Sequence, residues 1–134
     1  MAMPVSDKVL VDTSVWIAFF RKSEPCYSTV LRLLSQDRVC SAGIIVAELM
    51  QGAKSGKELS VLKDFIHTFE FLPESPSVWE KSGELSYRLR RKGITIGLAD
   101  CFIAITARES NVRIYTLDTH FERLKEDPGI TLFS

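Results

Sequence analysis

Five short apolar runs punctuate the chain, separated by stretches with helical spacing, and no other feature limits its possible folds so tightly. The runs are Lys8–Val11, Val39–Ser41, Phe69–Leu72, Val112–Leu117 and Ile130–Phe133. Several are apolar throughout instead of alternating with polar residues, so they read as strands covered on both faces. Such strands belong to parallel sheets, whose crossovers are supplied by helices. Thr13–Arg21 carries an apolar face of Val15, Trp16, Phe19 and Phe20, and at least two of the three aromatics there are expected in the core. Pro25 opens a second helix running to about Asp37, with Val30, Leu31 and Leu34 on one side. Further helices are expected over Ala42–Gly52, Lys57–His67, Leu98–Ser110 and His120–Lys125. Another starts at a capping box, Ser77-Val78-Trp79-Glu80, and stops at Gly93 behind Arg90-Arg91-Lys92. The expected architecture is one α/β domain with a short central parallel β-sheet flanked by helices on both faces.

At 134 residues the chain is long enough for one core and too short for two. Its longest apolar runs fall far short of a membrane span, and its start shows no basic segment leading into an apolar stretch and a small-residue cleavage site. A cytoplasmic protein without a membrane partner is therefore expected. Cys26, Cys40 and Cys101 fit no zinc-binding spacing and read as reduced, structural residues. Seventeen basic residues balance seventeen acidic ones, which excludes a protein that grips nucleic acid by bulk attraction. A polyanion would have to be held locally, by a patch or a bound metal.

The chemistry concentrates in four carboxylates. In open parallel sheets ligands bind beyond the carboxyl ends of the strands. Asp12 and Asp118 each follow an apolar run there. One such acid is commonly just the cap of the next helix; two at two strand ends shift the balance toward a site. Asp100 lies in the first turn of the Leu98–Ser110 helix, where the helix dipole also favours an acid. Ala104 and Ala107 follow it on one stripe, a small-sided face that would allow close approach by a ligand. Glu48 interrupts the apolar segment Ala42–Met50, and is either at the exposed helix edge or drawn into a polar site. Four converging carboxylates repel one another without a cation. Oxygen ligands select Mg²⁺ or Mn²⁺, and such an ion supports phosphodiester hydrolysis.

Four segments then resemble the motifs of PIN domains: Val11-Asp12-Thr13-Ser14-Val15-Trp16, Val46-Ala47-Glu48-Leu49, Ala99-Asp100-Cys101-Phe102-Ile103-Ala104 and Thr116-Leu117-Asp118-Thr119-His120-Phe121. Order, spacing and length match the VapC-like toxin branch over nearly the whole chain. The resemblance implies an Mg²⁺- or Mn²⁺-dependent endoribonuclease acting on RNA, a homodimer, and inhibition by a cognate antitoxin. Carried over, Asp12, Glu48, Asp100 and Asp118 are the catalytic and metal-binding acids, and Thr13 or Ser14, with Thr116, supports them. Toxins of this family receive the antitoxin's C-terminal segment in a groove near the site, which Trp16, Phe19 and Phe20 are placed to contact. Many relatives carry an acid two residues after the fourth motif's Asp; here that position is His120, read as capping a short surface helix.

Arg88, Arg90, Arg91 and Lys92 form the densest basic cluster. At a helix end they complement the dipole and solvate the surface. The alternative is an RNA-binding rim in which Arg88, Arg91 and Lys92 contact phosphates. Phosphoacceptor receivers and Asp-x-Asp phosphatases fit poorly, because Thr13-Ser14 follow Asp12 and no late lysine ends the penultimate strand. The rival from another class is a PIN fold that binds or helps process RNA with little turnover, since intact ligands are necessary but not sufficient for catalysis.

Overall fold

The structure, a computed structural model, describes residues 6–134; the first residues of the N-terminal segment on which the expectation about a leader rests lie outside them. Four parallel strands form one sheet in the order β3-β2-β1-β4, with β1 Val9–Val11, β2 Val39–Ser41, β3 Glu70–Phe71 and β4 Arg113–Tyr115. The central strands are short and buried throughout: Val9, Leu10, Val11, Val39, Cys40 and Ser41 are all shielded from water. Phe69–Leu72 yields only an edge pair, Glu70 and Phe71, both exposed. Ile130–Phe133 does not form a full strand. One parallel bridge joins Leu132 to Ile114, and its backbone bonds run from Ile114 N to Thr131 O and from Phe133 N to Ile114 O. The left-handed Gly129 (φ 92°) turns the chain into that segment, and only one residue pair comes into register.

Helices α1 Thr13–Phe20, α2 Cys26–Ser35, α3 Gly43–Gln51 and α4 Gly56–Phe65 connect β1 to β2 to β3, and pack on one another. Helices α5 Pro76–Arg91 and α6 Leu98–Glu109 carry the chain back across the sheet to β4, and pair closely. Crossovers between parallel strands are right-handed as a rule, so connections that run in opposite directions along the sheet place the two groups on opposite faces. The reversal lies between β1 and β4, the switch point at which such sheets open a crevice. Helix α2 buries Val30 and Leu33, whereas Leu31 faces solvent, one residue off the expected stripe.

The α5 start also differs from expectation. Pro76 occupies its first turn and Ser75 holds the extended cap position, so Ser77 is already helical and makes no capping box. Proline presets the helical φ and forces the residue before it to be extended, which moves the boundary two residues upstream. The other end follows the sequence. Gly93 (φ 77°) donates to Arg90 O, and Ile94 N donates to Leu89 O, the paired bonds of a Schellman stop. Helix α6 is buried from Cys101 to Ala107, so Ala104 and Ala107 belong to the core and do not face a site. All three cysteines are free and buried, and burial pushes the Cys40 thiol up to about 12. Among the described residues no helix is long and apolar enough to cross a membrane.

Candidate active site

The register of β1 and β4 pairs Val11 with Tyr115, so Asp12 and Thr116 emerge level at the switch point. Asp12 N still donates to Tyr115 O, which extends the ladder by one bond and holds the acid at 5% exposure. Asp12 occupies the cap position of α1, yet its carboxylate makes no cap bond to the backbone. Its Oδ2 instead accepts from the hydroxyls of Ser14 (2.9 Å) and Thr116 (2.8 Å). The same hydroxyls reach further: Leu117 N donates to Ser14 Oγ and Asp118 N donates to Thr116 Oγ1, both at 3.0 Å. One small network thus ties the end of β1 to the segment that carries Asp118.

Glu48 sits half-buried on α3 and accepts from the Thr13 hydroxyl at 2.9 Å. The two open readings of this residue both hold in part. Its carboxylate is bound toward the start of α1, and it also walls a groove of about 440 Å³ between α1, α3 and α4. Ile17, Phe20 and Val61 line that groove with large exposed apolar surfaces, and Arg21 and Lys54 add charge to it. Of the three aromatics on α1, Trp16 is fully buried and Phe19 packs against the core, while Phe20 is 40% exposed in the groove.

Asp100 projects from the first turn of α6, and the ligand atoms of Asp100, Asp118 and His120 lie within 4.8 Å of one another. Burial raises the Asp100 carboxyl to about 6; the negative charges of Asp118, Asp12 and Glu48 push it the same way, and His120 opposes them. Of the four sequence-expected acids, Asp100 and Asp118 meet at ligand distance with His120, whereas Asp12 and Glu48 lie outside that cluster and act on Asp100 through their charge. Asp118 does double duty, because its Oδ1 also accepts from His120 N at 2.9 Å and so caps the 3₁₀ turn Thr119–Leu124. Asp118 therefore supplies the cap that was expected of His120 and stays among the acids, and the His120 ring, whose Nδ1 is 3.4 Å from Asp118 Oδ1, joins them. The signal for His120 was its spacing, two residues past a strand-end acid on a tight turn. Arg88 lies elsewhere, in a bidentate ion pair with Asp127 (2.8 and 3.1 Å) beside Arg108 in the last turn of α6.

A carboxylate-rich crevice of this build, at the switch point of a four-stranded parallel sheet, accompanies a match of residues 9–127 to the PIN domain family. The chain belongs to the PIN domain family. This PIN domain is 32% identical to Ribonuclease VapC1 of Methanocaldococcus jannaschii over 120 residues, spanning 89% of this chain and 82% of that protein. It is 28% identical to the tRNA(fMet)-specific endonuclease VapC of Shigella flexneri, over 87% of this chain and 92% of the other. Among solved structures it resembles DNA-bound VapBC from Salmonella typhimurium with a TM-score of 0.77 and 29% identity, covering 94% of this chain and 96% of that one.

Proposed function

We propose that this PIN domain is a divalent-metal-dependent endoribonuclease, the toxin of a VapC-type toxin–antitoxin pair that works in the cytoplasm as a homodimer. The observation that carries the reading is the Asp100–Asp118–His120 cluster, with Asp12 and Glu48 close enough to raise the Asp100 carboxyl. Like charges that converge on Asp100, with no lysine or arginine among the groups that act on it, fit a cation as their missing partner. Carboxylate oxygens suit Mg²⁺ or Mn²⁺, and an imidazole beside them favours Mn²⁺ of the two. Asp100, Asp118 and His120 would hold the ion, with Asp12 and Glu48 flanking it. A divalent cation there supplies charge neutralisation at a phosphoryl oxygen and lowers the pKa of a water.

The chain's own groups do the rest. Ser14 and Thr116 hold the Asp12 carboxylate in one orientation, so its placement costs nothing when substrate arrives. Thr13 holds Glu48 likewise, on the side where the groove opens. That groove is the seat we assign to an antitoxin segment: exposed Ile17, Phe20 and Val61 offer apolar anchorage, and an occupant would lie against Glu48. The names of the relatives support RNA as substrate, and the VapBC assemblies support a protein partner.

The test is cleavage of a mixed cellular RNA pool by the purified protein with Mg²⁺ or Mn²⁺, beside Asp12→Asn, Asp100→Asn and an EDTA control. Metal-dependent cutting that disappears in both variants is expected. Cutting that survives both substitutions would sink the four-acid site.

A further inference from the structure

We propose that the C-terminal turn of α5 is a second phosphate-binding surface that holds a structured RNA away from the bond to be cut. The proposal rests on the ribonuclease reading above. Arg88, Arg90, Arg91 and Lys92 crowd into that turn, with buried Leu89 between them. Arg88 is spoken for by its bidentate pair with Asp127. Arg90, Arg91 and Lys92 are exposed, and among the described residues no ion pair engages them. Lys92 and Arg108 both act on the same Asp127 carboxylate that Arg88 binds. Even with Glu84 and Glu126 counted beside Asp127, five cations meet three carboxylates in a chain whose total charge is zero. The positive charge is thus concentrated here.

The turn also carries a flat partner for a base or ribose. Tyr87 is 64% exposed, and the Arg91 guanidinium lies over its ring at 5.8 Å. A guanidinium over an exposed phenol ring suits nucleic acid, because the ring offers a face for stacking while the free donors take phosphate. The Schellman stop at Gly93 already satisfies the last carbonyls of the helix, so these side chains are not consumed in capping.

Position decides the kind of RNA. Arg88 sits with Arg108 in the last turn of α6, whereas Asp100 occupies the first, about 12 Å away along that helix. A single strand of two or three nucleotides seated at the acids stops short of this surface. A stem-loop that seats its loop at the acids carries its stem backbone past them, and phosphate contacts there fix its orientation without reading its sequence.

The experiment measures binding of a labelled stem-loop RNA and of a trinucleotide from its loop, across a salt series. It uses the Asp100→Asn protein in Mg²⁺ so that neither RNA is cut. Arg90→Gln/Arg91→Gln/Lys92→Gln is compared with the charge-matched Lys22→Gln/Arg32→Gln/Lys63→Gln, on the opposite helical layer. We expect the α5 triple to lose about tenfold or more in stem-loop affinity, with a salt slope flatter by about 2–3, while the short strand and the control triple are unchanged. Stem-loop affinity within about twofold of the parent, an equal loss for the short strand, or an equal loss in the control triple would each overturn the anchor. A melting curve for each variant shows that it is folded. Binding does not depend on cleavage, so a wild type that cuts nothing in the cellular RNA pool overturns the ribonuclease reading while the anchor is judged on affinity alone.

Discussion

Replacing Asp100 with asparagine should stabilise the metal-free protein while it abolishes cleavage. The carboxyl is raised from its ordinary value near 3.8 to about 6, by burial first and by Asp118, Asp12 and Glu48 next. A raised acid binds its proton more tightly in the folded chain than in the unfolded one. Its penalty is absent below about pH 4, grows as pH rises toward 6, and is fully present above that. The whole shift would correspond to about 3 kcal/mol. Asp100 is partly exposed, and water and salt screen the repulsion, so roughly 1–1.5 kcal/mol is the realistic gain for the neutral amide at pH 7.5. For a chain of this size that raises Tm by about 3–6 °C in EDTA. The same comparison at pH 4 should show almost no difference. Added Mn²⁺ should raise the wild-type Tm and close or reverse the gap, because only the full acid set binds the ion tightly. Thermal melts at the two pH values, with EDTA and with Mn²⁺, decide the matter. A variant no more stable than wild type at pH 7.5 in EDTA would refute the claim that these acids strain one another.

Thr116→Val removes the hydroxyl that donates to Asp12 and accepts from Asp118 N; cleavage should fall by about 10–100-fold while Tm drops only a few degrees, read by rate assays beside circular-dichroism melts. An unchanged rate would show that Ser14 alone orients Asp12. His120→Asn should weaken Mn²⁺ binding by about tenfold or more in a calorimetric titration, whereas equal affinity would return His120 to a purely surface role. Gly93→Ala puts a side chain at φ 77° with no atom in its way, so only backbone strain operates; about 1 kcal/mol of stability should go, with cleavage per folded molecule unchanged.

The four acids and the alternation of elements were legible in the sequence because each has a local cause. Strands buried on both faces must be apolar at every position, as Val9–Val11 and Val39–Ser41 are, and helices end where glycine and cations collect, as at Gly93. A carboxylate after a buried strand stands out against that background, and so does Glu48 within Ala42–Met50. Local signals also misled. Ser77 to Glu80 has the spacing of a capping box, but Pro76 had already started the helix. Ala104 and Ala107 share a stripe with Asp100, and close packing against neighbouring elements, not ligand access, uses their small size.

By itself, then, the sequence determined an α/β domain, the order of its elements and which carboxylates were out of place in an apolar chain. Only the tertiary structure decided what those groups are to one another. The reversal of strand order between β1 and β4 sets Asp12 beside Thr116, a hydroxyl 104 residues away in the chain. The same reversal brings Asp118 and His120 to Asp100, and tertiary packing pairs Arg88 with Asp127, 39 residues further on. Residue type and periodicity report what a segment does with its own backbone and its own face. Convergence depends on the register and crossover of elements far apart in sequence, which no local window contains.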